Sequence, residues 1–211
     1  MANYRRINHR PAHPKIFVFS HTERAEIEYF QEFKQELKTP LLVPKKILCR
    51  EPDELLTKVI AWKNTQDNFN EKDGDEVWCI FDVDEFYTKN PELLIQTINQ
   101  AEKNKIKIAY ANECFELWIL LHFDAPTSSI KRGSDLAKKI QSYFKKHKLG
   151  EFKKNQHVFQ QIKPFQIEAI ANSKKLFAQY SKQNWDKKLG KDGNPSTNIH
   201  LLVERIILLK Q

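Results

Sequence analysis

The sequence predicts an α/β fold: a mostly parallel sheet with helices on both faces. Three observations lead there. Short apolar runs rich in β-branched and aromatic residues alternate with longer segments of helical spacing. The composition, 40% hydrophobic and 29% charged over 211 residues, is that of a folded chain able to bury one proper core. Glycine is scarce, with 5 residues, and neither GxxxxGK[ST] nor GxGxxG occurs, so no glycine-rich phosphate loop opens any of the helices.

The elements follow in order. Residues 16–19, Ile-Phe-Val-Phe, read as a buried strand. Residues 24–38 are helical, with Ile27, Phe30, Phe33 and Leu37 on one face. Residues 41–48 form a second strand, which Pro44 assigns to a sheet edge. Residues 52–66 are a helix with Pro52 in its first turn and Leu55, Leu56, Val59 and Trp62 inward. A polar loop, 66–75, leads into the strongest strand, 77–81. A helix over 91–103 and a strand over 106–111 complete the alternation. Beyond residue 131 the pattern is helical: 134–148, 163–183 and 197–210, the last anchored by Leu201, Leu202, Ile206, Leu208 and Leu209.

The net charge of +8 is unevenly spread. Residues 1–15 hold four basic groups and no acid. Residues 16–130 hold 13 basic and 21 acidic groups. Residues 131–154 hold 9 against 2, and residues 174–191 hold 6 against 1. This divides the chain into a basic arm (1–14), an α/β core (15–130) and a basic helical extension (131–211) packed on the core. Basic segments of this kind suit a polyanionic partner or a solvated lysine-rich helix surface. No apolar run approaches the ~20 residues of a membrane span. The start, MANYRRINHRPAHPK, lacks the apolar segment of a secretory signal. Three widely spaced cysteines, Cys49, Cys79 and Cys114, without a CxxC pair, predict reduced thiols, a cytoplasmic protein and no structural zinc.

In open α/β sheets, ligands sit beyond the carboxyl ends of the strands. Acids collect there. Asp82 and Asp84 end the third strand; in an extended chain i and i+2 point the same way, so the two carboxylates can converge on Mg²⁺. Asp also favours turns, which is the plainer explanation. After the fourth strand comes Asn112-Glu-Cys-Phe-Glu-Leu-Trp-Ile-Leu-Leu-His. Asn112 reads as a helix N-cap and Glu113 as a complement to the helix dipole. Glu116, set among Phe115, Leu117, Trp118 and Ile119, needs a cleft, a metal or a partner charge. His122 serves Glu116 or is packed in the core. Glu23, Glu26 and Glu28 crowd the start of the helix after the first strand, by dipole complementarity or to join the aspartate pair.

The run from Phe17 to Phe30, VWCIFDVDE (77–85), AYANECFELWILLHF (109–123) and NPSTNIHLLVE (194–204) resemble the RloB-like family. The resemblance implies a toprim-type fold and a role in bacterial anti-phage defence (abortive infection). It implies a Mg²⁺- or Mn²⁺-dependent nuclease, a hydrolase of phosphodiester bonds in DNA or RNA, tRNA included. Asp82, Asp84 and Glu116 match the family's metal-binding positions, with Glu113 where the family's Asn-Pro-x-Phe-Glu-x-Trp motif has Pro. The family's first motif, Glu-Gly-x-x-Thr-Glu-x-x-Tyr-Phe, is altered. His21 and Thr22 stand at Glu-Gly, and Glu26 stands at the second glutamate. Glu23, Glu26 or His21 is then the acid/base group, or the chemistry has been lost. The basic stretch after the core resembles that of relatives, and Lys153 or Lys154 would neutralise charge on a transferring phosphate.

Three functions follow. The first is the metal-dependent nuclease. The second is a non-catalytic nucleic-acid-binding or regulatory subunit of a defence ATPase complex, with an AAA-type or ABC-type partner. The third is a phosphatase or phosphotransferase with an aspartyl nucleophile, against which Phe86 stands where such enzymes carry Thr or Val. The sequence is compatible with a homodimer.

Overall fold

The computed structural model describes residues 13–20, 25–65, 67, 69–130, 133–154 and 157–210. The elements are β1 (Ile16–Ser20), α1 (Ala25–Leu37), β2 (Leu42–Lys46), α2 (Pro52–Thr65), β3 (Glu76–Asp82), α3 (Asp84–Lys89), α4 (Pro91–Lys103), β4 (Ile106–Asn112) and α5 (Glu116–Leu121). There follow α6 (Gly133–Lys146), α7 (Phe159–Ile162), α8 (Gln166–Ala178), α9 (Trp185–Leu189), β5 (Ser196–Thr197) and α10 (Ile199–Ile207). The basic arm lies outside the described residues except for His13 and Pro14.

The sheet order is β2-β1-β3-β4-β5. β1 to β4 are parallel and β5 runs antiparallel, pairing only with Ala111 and Asn112. The α/β class is therefore as predicted, and β2 with its proline is an edge strand. From β1 the chain continues to β2 on one side, and from β3 it continues to β4 on the other. The carboxyl ends of β1 and β3 thus form a switch point, where helices diverge and leave a crevice.

Side chains alternate across the sheet. Ile16, Val18, Trp78, Ile80, Ala109 and Ala111 face one core, shared with α1, α5, α6, α8 and α10. Phe17, Phe19, Val77, Cys79, Phe81, Ile108 and Tyr110 face the other, under α2 and α4. Both faces being covered explains why β1 and β3 read as unbroken apolar runs.

β3 begins at an acid. Glu76 accepts from Arg205 Nε (2.6 Å) and Trp78 Nε1 (2.9 Å), with Lys107 Nζ at 2.9 Å. The outer edge of β4 is closed by a side chain: Asn198 Oδ1 accepts from the Tyr110 amide and its Nδ2 donates to the Ile108 carbonyl, both at 2.8 Å.

Some expectations need correction. The segment 163–183 is shorter as a helix, with a 3₁₀ turn over Lys163–Phe165 where Pro164 sits and the α-helix ending at Ala178. Residues 197–198 are strand and cap, and the last helix starts at Ile199. Asn112 is not an N-cap. It is the last residue of β4, and its Nδ2 lies 3.2, 2.9 and 3.1 Å from the carbonyls of Lys188, Leu189 and Gly190. The helix that follows begins only at Glu116. The three cysteines are free thiols. Among the described residues no helix is long and apolar enough to cross a membrane.

Candidate functional site

Glu26 lies in the first turn of α1, on the same stripe as Tyr29, Phe30 and Phe33, and the stripe is buried. Glu26 is only 1% exposed. Its carboxyl is pushed up to about 7. Burial is the main cause, reinforced by the charge of Glu116 and opposed by a backbone hydrogen bond and by Lys154.

Glu116 is the first residue of α5, whose six residues are all buried. Its Oε1 stands 3.2 Å from Lys154 Nζ. Lys154 comes from the irregular stretch after α6, so the basic extension reaches the strand ends at this point. Burial alone would lower the Lys154 ammonium; the charges of Glu116, Cys114 and Asp82 and the Glu116 hydrogen bond more than reverse this. Cys114, 5% exposed, has its thiol held protonated by burial first, then by Glu116 and Asp82.

Asp82 ends β3 opposite Ala111 of β4. The next amide, Val83 N–H, donates to the carbonyls of both Ala111 and Glu113 at 3.0 Å. This shared bond ties the end of β3 to the loop that carries Cys114 and Glu116. Glu26, Asp82, Cys114, Glu116 and Lys154 therefore gather at the carboxyl ends of β1, β3 and β4, at the switch point.

The other predicted residues fall differently. Asp84 opens α3, and Val83 before it is helical (φ −82°, ψ −45°). The extended-chain argument for converging Asp82 and Asp84 thus fails, because the chain turns between them. His21, Glu23 and the Asp84 side chain lie outside what is described. Lys153 pairs with Glu151 at 3.5 Å, not with the cluster. His122 is a core residue: 1% exposed, its Nδ1 3.0 Å from the Trp118 carbonyl, its imidazole lowered to about 4 by burial. Glu32, a helical turn and a half from Glu26, meets His157 Nδ1 at 2.6 Å. Cys114 was missed as a member of the cluster; its signal was its place between Asn112 and Glu116.

The donors are carboxylates, the hard oxygen ligands that Mg²⁺ takes one or two at a time alongside water and phosphate. The like charges of Glu26 and Glu116 create a demand for a cation, which Lys154 meets in part. In kind the residues fit the ion. Among the described residues no group of three or more His, Cys, Asp or Glu side chains is placed to hold a metal ion.

The fold and site together define an α/β protein with acids collected at the switch point of a mostly parallel sheet. More particularly, the chain belongs to the RloB-like protein family, whose model matches residues 16–206. No curated protein and no solved structure matches it.

Proposed function

We propose that the protein is a toprim-type, Mg²⁺- or Mn²⁺-dependent nuclease cleaving phosphodiester bonds in DNA or RNA. The observation that carries this reading is the convergence of Glu26, Asp82, Glu116 and Lys154 at the strand ends. Asp82 and Glu116 would hold the metal, with Asp84 as the third ligand on the strength of the family resemblance alone. When bound, the ion supplies charge stabilisation at the phosphate and orients a nucleophile.

The remaining chemistry belongs to the chain itself. Glu26, with its proton held to about pH 7, is suited to give or take a proton near neutrality. It stands in for the glutamate absent at His21. Lys154 is half-exposed and positive, and can leave Glu116 to meet a phosphate oxygen. Cys114 stays a neutral thiol and acts as a hydrogen-bond donor to Glu116, not as a nucleophile. The proposal extends to a role in anti-phage defence with an ATPase partner, which the family resemblance implies.

A second reading, a non-catalytic nucleic-acid-binding or regulatory subunit, is favoured by one feature: His21-Thr22 replaces Glu-Gly in the first motif.

The test is cleavage of tRNA, single-stranded DNA and duplex DNA with Mg²⁺ or Mn²⁺. The nuclease reading expects metal-dependent cuts lost in Asp82→Asn and Glu116→Gln. Intact substrate throughout, with nucleic-acid binding that survives both substitutions, would support the second reading instead.

A further inference from the structure

Two clefts adjoin at the carboxyl edge of the sheet. The first, of about 320 Å³, opens at Val83 and Glu113, beside Asp82 and just before Cys114 and Glu116. The second, of about 720 Å³, extends from residues 127–129 to Lys175 and Tyr180. Ser129, Lys191 and Asn194 line both, so the two form one continuous groove leading away from the carboxylates.

Its far wall is held in place. Asn112 gathers the carbonyls of 188–190. Tyr87 Oη donates to Asp186 Oδ1 at 2.6 Å. Asn194 pairs with both backbone groups of Ile130, at 2.9 and 2.8 Å. The groove is thus a built feature of the fold.

Its chemistry is specific. Lys175 and Lys191, near the two ends of the basic block 174–191, line it and are exposed. Thr127, Ser128 and Ser129 add a row of exposed hydroxyls. Such groups contact phosphate oxygens without reading sequence. Tyr180 offers a ring, and basic grooves with aromatic side chains are the usual device for single strands. Lys154 pairs with Glu116 in the cluster itself, while the groove starts at Val83 and Glu113, the chain neighbours of Asp82 and Cys114. A polyanion therefore finds a positive group on either approach.

We propose that this groove binds a single-stranded phosphodiester chain flanking the carboxylate cluster. Lys175 and Lys191 contact its phosphates and Tyr180 stacks on a base. The inference rests on the reading of the cluster as a phosphodiester site, and it explains the second basic block, which that reading leaves unused. Glu113 and Asp192 are the acids among the described lining residues. Glu113 lies at the metal end, and Asp192 opposes binding.

The test is fluorescence anisotropy of labelled single-stranded RNA, single-stranded DNA and duplex DNA on the full chain in EDTA, across a salt series. Lys175→Gln with Lys191→Gln should flatten the slope of log K against log salt by about 1.4 and weaken single-strand binding about 25-fold near 0.1 M salt. Lys38→Gln with Lys103→Gln, at the amino end of the sheet, should change neither. Asp192→Asn should tighten binding. Unchanged slope and affinity in the Lys175/Lys191 variant, or duplex bound as tightly as single strand, would overturn the proposal. Hydrolysis of bis(p-nitrophenyl) phosphate with Mn²⁺ separates the two readings, because this small diester needs no groove. If it is not hydrolysed, the nuclease reading fails while the binding result still decides the groove.

Discussion

β3 carries an acid at each end, and the fold treats the two ends oppositely. Glu76, at the start, is surrounded by Arg205, Lys107 and the Trp78 indole. Burial by itself would raise its carboxyl, but these hydrogen bonds and the Lys107 charge lower it. At the other end, Asp82 joins Glu26 and Glu116, served by the amine of Lys154, whose side chain is 60% exposed. There burial and like charge push Glu26 up. The first arrangement spends its acid on holding α10 to the sheet. The second keeps negative charge in excess beside a cleft, which stabilises nothing by itself and suits a cationic ligand.

The largest effect should separate the ends by activity. Asp82→Asn or Glu116→Gln is expected to lower metal-dependent cleavage by about 10³-fold or more. The melting temperature should hold or rise, since like charges are relieved. Glu76→Gln should leave the cleavage rate of folded protein unchanged. A rate loss in Glu76→Gln equal to that in Asp82→Asn would break the comparison.

Stability should separate them in the reverse sense. Arg205→Ala removes the shortest contact to Glu76 and is expected to cost about 1–3 kcal/mol in urea unfolding. Lys154→Met breaks a half-exposed pair and should change stability by less than about 1 kcal/mol.

The pH profiles sharpen the contrast further. Glu26 is raised in the folded state, so its contribution is complete below its ordinary value of 4.5 and is lost as pH rises through about 7. Glu76 is lowered, so its contribution is present above 4.5 and is lost as pH falls. Metal-free Glu26→Gln should therefore flatten the fall in stability between pH 4.5 and 7, and Glu76→Gln should flatten part of the acid limb. His122 and His200 contribute to that limb as well. Both are lowered to about 4 chiefly by burial, and they lose their contribution as pH drops from 6.5 towards 4. The smallest readout is the Glu26 carboxyl resonance: Mg²⁺ should shift its titration downward, and Lys154→Met should shift it upward.

Much of the scaffold was legible because both faces of the sheet are covered, so β1, β3 and β4 read as apolar runs with helical segments between them. The acids Glu26, Asp82 and Glu116 were legible from the strand-end rule. What escaped depends on distant chain. Asn112 looks like a cap until its partners at 188–190 are seen. Lys154 could not be chosen over Lys153, because the preference is set by where the stretch after α6 crosses the sheet. The turn at Val83 is a matter of two dihedral angles. β5, two residues long, has no periodicity to read.

Asn198 has a consequence for synthesis. The edge of β4 that it closes lies 88 residues earlier in the chain. At ~5–20 residues per second, Tyr110 leaves the ribosome roughly 4–18 s before its cover is made. During that interval the nascent sheet presents unpaired amides and carbonyls to any neighbouring strand. Asn198→Ala would prolong that exposure into the finished protein, and its yield in the pellet rather than the supernatant would record it.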